Sequence, residues 1–216
     1  MNIVNSFFGK KEFPPTPFAF YKFNEGSGFV ANSEISSRPL TLNHDTYWKG
    51  TSGREGDSVR VNLSTEYLTL GGSDTDDLLV NNAFSICKWF TYAQGNSVSI
   101  GTAGGTRVVT AYPVGGHWRV MVGNNAGNWV YTTTSTSGIL AGWHHFALTV
   151  DINSYHLYFN GVLVATASYT ANSFKKIGQS MMLLGNTYAG SRTIDNLVLY
   201  SRKLDVDEVN AVMNLT

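Results

Sequence analysis

Charge is scarce in this chain. Asp, Glu, Lys and Arg together make 14% of its 216 residues, against roughly 25% in ordinary soluble domains. Fifteen basic and fifteen acidic side chains cancel to a net charge of zero. No long-range field therefore draws the chain to nucleic acid or to an anionic membrane, and no Lys/Arg run supplies a local basic patch. Cysteine is scarcer still. Cys87 stands alone, which excludes an internal disulfide and a cysteine-based metal site and leaves a small apolar strand residue. Long apolar runs are missing too: none approaches the roughly 18 residues of a membrane span. At the N-terminus, "MNIVNSFFGKKEFPPTPF" places Lys10, Lys11 and Glu12 after a short Phe-Phe. A secretory signal needs the reverse order and an apolar run of roughly 7–15 residues. The expectation is a chain that neither inserts in a membrane nor carries an export signal.

What is abundant is glycine, at 22 residues, and aromatic side chains, at 13%. From Phe18 onward, short β-branched and aromatic runs recur: "FAFYKF", "EYLTL" (66–70), "FSICKWFTY" (84–92), "SVSIG", "TRVVTAY", "HWRVMV", "NWVYTTT", "WHHFALTV" (143–150), "YHLYF", "VLVATAS", "SMMLLG" and "RTIDNLVLY". Gly- and Asn-rich breaks separate them. Short strands at regular spacing predict an antiparallel two-sheet sandwich. In "YHLYF", Tyr155, Leu157 and Phe159 share one face while His156 and Tyr158 take the other. Asn160-Gly161 then predicts a two-residue type I′ hairpin turn into "VLVATA". One helix is expected, "DVDEVNAVMNL", with Asp205 and Glu208 as the two halves of a capping box. The spacing of Val206, Val209, Val212 and Met213 gives it one apolar stripe. Residues 1–17 read as a separate extended tail, stiffened by Pro14, Pro15 and Pro17, and residues 18–216 as one domain.

Four segments, kept in order, then carry a resemblance. They are "AFYKFNEGSG", "EYLTL" leading to "FSICKWF", "GWHHFALTVDINSYHLYFNGVLV", and "MMLLGNTYAGSRTIDNLVLYSRKLDVDEV". Over about residues 18–213 the chain resembles the laminin G-like, concanavalin A-like jelly-roll family, in its pentraxin-related branch. The resemblance implies two packed antiparallel sheets and a module that binds glycans or proteins. It also implies a structural calcium between the first turn and the last strand, at Asn24, Glu25 and Asp195. Asn24 stands where the family has an Asp. The other reading of Asp195 is a buried carboxylate that accepts backbone N–H groups, and the residues leave both open. The acidic stretch "GGSDTDD" at 71–77 reads as a solvated loop.

Glycosidase chemistry needs two carboxylates flanking the scissile bond. Glu55 and Asp57, Asp74–Asp77 and the acids of the terminal helix do not fall on one strand in that way, so a non-catalytic protein is expected. His144 and His145, adjacent on a strand, face opposite sides and read as hydrogen-bonded structural residues. Sugar recognition wants an aromatic platform beside amides on loops; Trp118, Asn124, Asn125, Trp129 and Tyr188 are the candidates. Phe7 and Phe8 in the tail are candidate anchors to a capsid or other virion protein. The expected role is thus a phage virion decoration or accessory protein that displays a glycan-binding domain. The alternative is a free lectin or the binding module of a larger extracellular enzyme. Strand edges leave room for a homo-oligomer.

Overall fold

A computed structural model describes residues 14, 16–43, 48, 53, 54, 56–61, 67–91, 98–101, 107–114, 117–123, 128–134, 142–171, 173, 174, 181–185 and 192–215. Their order begins β1 (Ala19–Tyr21), β2 (Val30–Ala31), β3 (Leu40–Leu42), β4 (Val59–Val61), β5 (Tyr67–Leu70), α1 (Gly72–Leu78) and β6 (Ala83–Thr91). It continues β7 (Val98–Gly101), β8 (Arg107–Val114), β9 (His117–Gly123), β10 (Trp129–Thr134) and β11 (Trp143–Asp151). It ends β12 (Ser154–Phe159), β13 (Val162–Ser168), β14 (Met181–Gly185), β15 (Arg192–Tyr200) and α2 (Val206–Leu215).

The first layer is a seven-stranded sheet in the order β1-β15-β6-β11-β12-β13, with β4 also paired to β15. Two four-stranded sheets, β10-β9-β8-β7 and β14-β5-β3-β2, form the opposing layer; β7 and β14 run side by side and join them. All pairings are antiparallel. Strand alternation explains the core directly. Phe84, Ile86 and Phe90 on β6 and Phe146, Leu148 and Val150 on β11 face inward. They meet Trp118, Val120 and Val122 on β9 and Leu40, Leu42, Leu68 and Leu70 on β3 and β5.

The other face of the seven-stranded sheet is covered at its centre by α2. Val209 and Val212 pack with Leu204 on Phe20, Cys87, Ala147, Tyr158, Val198 and Tyr200. The capping box forms as the spacing predicts. Glu208 N–H donates to Asp205 Oδ1 at 2.9 Å, and Asp205 N–H donates to Glu208 Oε2 at 3.0 Å.

One element departs from expectation. The acidic stretch taken for a loop contains α1. Asp74 sits in its first turn, where the helix dipole favours negative charge, and Thr75 and Leu78 are buried. Arg38 bridges Asp74 at 3.4 Å and Asp77 at 3.6 Å, so a protein cation faces these acids.

The β12–β13 turn is the type I′ turn predicted, with φ of 49° at Asn160 and 77° at Gly161. It is also pinned from both sides. Asn160 Oδ1 accepts the His145 N–H at 2.9 Å, and Asn160 N–H donates to the His145 carbonyl at 2.8 Å. A Cβ on Gly161 would lie 2.2 Å from Asn210 Oδ1 and 3.2 Å from Met213 Cε, so α2 rests on the turn. Gly161→Ala is expected to cost about 1–3 kcal/mol through the positive φ and the displaced Asn210, read as a lower thermal midpoint. Adding Asn210→Gly should return part of that loss. An unchanged midpoint would show that α2 does not rest on this turn.

Candidate functional site

The sequence-predicted residues fall in three places. Trp118 is 1% exposed, with its ring against Phe90 at 5.8 Å and Phe146 at 4.7 Å. It is core, and this removes it from the sugar platform: it alternates with Val120 and Val122 on the inward face of β9. Trp129 opens β10 opposite Gly123, at a break in register before Tyr131, and is half-buried. Bulges of this kind re-aim side chains at the rims of sheets. Asn124, Asn125, Tyr188, Phe7 and Phe8 lie outside the described residues.

Asn24 and Asp195 converge on one segment, 54–57. Asn24 Oδ1 accepts the Asp57 N–H at 3.2 Å. Asp195 Oδ2 accepts the Arg54 N–H and its Oδ1 the Asn196 N–H, each at 2.8 Å. Glu25 turns away, with Oε1 on the Asn32 N–H at 2.5 Å. A calcium cage needs six to eight oxygens aimed at one point. Here each of these three side chains already takes a backbone N–H. Among the described residues no three His, Cys, Asp or Glu side chains gather closely enough to hold a metal. As placed, each of the three serves a backbone N–H, and Asp195 fastens a loop.

That loop carries Arg54 onto the Trp89 ring, 4.0 Å from its centroid. Trp89 in turn meets His145, with ring centroids 5.4 Å apart. Burial, with the Arg54 charge, pushes His145 down to about 3, so it is neutral at ordinary pH. His144 lies on the opposite face against Phe159 at 4.7 Å, as strand alternation requires. His145 differs from expectation in one respect: neither ring nitrogen has a hydrogen-bond partner. Its role is packing against Trp89.

A fourth place was not foreseen. On the outer face of the first sheet, His156 and Tyr158 of β12 stand beside the segment entering α2. With Lys203, Leu204, Asp205 and Val206 they line an open hollow of about 440 Å³. Its rim is fixed by a chain of polar contacts. Asp151 Oδ1 accepts the Asn153 and Ser154 N–H groups at 2.7 Å, closing the β11–β12 turn. Asp151 Oδ2 takes Lys203 Nζ at 3.0 Å, and Lys203 also donates to Ser154 Oγ. Burial pushes the Asp151 carboxyl up, but the Asn153 N–H, Lys203 and the Ser154 N–H outweigh it and hold the group below its usual range. Arg202 grips Glu208 with two bonds of 2.9 and 2.7 Å, which holds that carboxyl low as well. His156 Nδ1 lies 3.3 Å from Tyr158 Oη. Burial and then the Lys203 charge lower His156. The outward positions of "YHLYF" were legible in the sequence. Their meeting with residues 203–206, some 45 positions on, was not.

The fold agrees with what the chain resembles. A family model of the concanavalin A-like lectin/glucanases superfamily matches residues 63–210. The chain belongs to this superfamily. No curated protein matches it. Among solved structures, this superfamily member is similar to the botulinum neurotoxin serotype D binding domain, at TM-score 0.69 and 10% identity, over 92% of this chain and 51% of that one. It is similar to the binding domain of Paraclostridial Mosquitocidal Protein 1 at TM-score 0.67 and 14% identity, over 89% and 53%. It is also similar to a botulinum neurotoxin type C structure, whose cell entry depends on interaction with two ganglioside molecules, at TM-score 0.64 and 9% identity, over 89% and 51%. The chain spans about half the length of these proteins. At such identities the likeness is one of fold.

Proposed function

We propose that this superfamily member is a non-catalytic module that recognises a cell-surface glycan and is displayed on a virion, attached through residues 1–17. The observation that carries the non-catalytic reading is the employment of five of the described carboxylates. Asp74 and Asp77 face Arg38, Asp151 faces Lys203, Glu208 faces Arg202, and Asp195 accepts backbone N–H groups. A glycosidase must instead keep an acid and a nucleophile or base open to substrate. The glycan reading is supported by the superfamily, by toxin binding domains of the same fold, and by the ganglioside dependence of one of them. Trp129, at the end of the β9–β10 hairpin, is the platform this reading uses. The setting on a particle rests on the sequence of residues 1–17, whose apolar start and three prolines read as an attachment tail. The alternative, a binding module of a larger extracellular protein, is favoured by the half-length match to the toxin domains.

A broad glycan array probed with residues 1–216, in calcium and again in chelator, tests the binding. The expected result is a defined glycan hit of equal strength in both buffers. Trp129→Ala should abolish the hit while the protein stays folded. Trp118→Ala should instead cost about 3–5 kcal/mol of stability as a core cavity. A blank array counts against the glycan reading, and a hit lost only in chelator would overturn the account of Asn24 and Asp195. For attachment, residues 18–216 alone should fold and bind the same glycan yet fail to decorate particles; full decoration by that truncated chain would remove the tail's role.

A further inference from the structure

We infer that the hollow between β12 and the start of α2 is a carbohydrate site in its own right, which takes a neutral hexose residue. It rests on the glycan-binding reading of the module but not on Trp129. The volume, about 440 Å³, falls in the range of small-ligand sites, roughly 300–1,000 Å³. Its apolar surface is chiefly Val206, 45% exposed, set over the nearly covered Tyr158 and Leu204. The rim offers both hydrogen-bonding senses. Lys203 spends two of its three N–H donors on Asp151 and Ser154 and keeps one. His156 engages Tyr158 through Nδ1 and keeps Nε2, which donates or accepts according to the tautomer. The Asp205 carboxylate takes the Glu208 N–H on Oδ1 and keeps acceptor capacity at Oδ2. Such a mixture suits hydroxyl groups, which donate and accept at once. The donors are also pre-positioned by the Asp151–Lys203 and Arg202–Glu208 contacts, so little ordering is left to binding.

Charge selects among sugars. Lys203 is neutralised by Asp151 and Arg202 by Glu208. Asp205 and Asp207, both exposed in the same turn, leave the rim net negative. A sialic or uronic acid carboxylate is therefore disfavoured here, and a neutral pyranose is not.

The test is an amide-resolved NMR titration of the full ¹⁵N-labelled chain. The probes are the methyl glycosides of glucose, galactose, mannose and N-acetylglucosamine, with N-acetylneuraminic acid as the anionic comparator. At least one neutral glycoside should shift the His156, Lys203 and Val206 amides saturably, and N-acetylneuraminic acid should not. Val206 is 45% exposed, so Val206→Arg can fill the hollow without unfolding the domain, which its thermal midpoint checks. That variant should weaken binding about tenfold or more and leave any shifts around Trp129 in place. Shifts confined to Trp129 would overturn the hollow and leave the glycan reading standing. An unchanged Kd in folded Val206→Arg, or equal binding of N-acetylneuraminic acid, would also overturn it. Silence everywhere, with a blank array, would take down both.

Discussion

The β6–β11 pair is the constraint on which the rest of the molecule depends. Nine consecutive residues pair across it, from Trp143 with Thr91 to Asp151 with Ala83. Along most of that length neither face is free. The inward residues fill the core between the layers, and Cys87 and Ala147 sit under α2. A slip of one residue would exchange the two sets, placing Phe146 and Phe90 under the helix and a histidine in the core. The pair therefore admits one register. Its neighbours inherit it: β15 on one side brings Asp195 and the approach to α2, and β12 on the other brings His156 and Tyr158.

From that register follows a division of labour between the two faces of the first sheet. The inner face is an aromatic core in which Trp118, Phe90 and Phe146 hold the layers together. The outer face is divided by α2. On one side the Asp195 clamp sets Arg54 over Trp89 and His145. On the other, Asp151 and Lys203 tie the β11–β12 turn to the segment before the helix, and the hollow opens between them. In both places charged groups serve to hold backbone, a use of buried or half-buried carboxylates that stabilises loops.

Much of this was legible in the sequence because it is local. Asn160-Gly161 with alternation on either side specifies a hairpin, and Asp205 with Glu208 specifies a helix start; both formed as written. Trp118 was legible and was misassigned: its alternation with Val120 and Val122 already marked an inward face, whereas Trp129 sits where a strand begins beside a loop. What stayed hidden depends on distant partners. α1 is a seven-residue helix in an acidic stretch, and local propensity does not favour it; Arg38 and the burial of Thr75 and Leu78 decide it. The hollow needs residues 156 and 158 beside 203–206, a juxtaposition set by sheet order and not by any motif. Asp195 had two physical uses open to it, and its bond to the Arg54 N–H, 141 positions away, is not written in any local pattern.

The central claim is that this fold binds a saccharide and leaves it intact. The most direct measurement takes the oligosaccharide selected by the module, measures its binding by calorimetry, and then follows the same mixture by mass spectrometry through a long incubation. The account predicts saturable binding with every glycosidic bond preserved. Release of shorter saccharides would contradict it, because some pair of carboxylates would then have to work as acid and base.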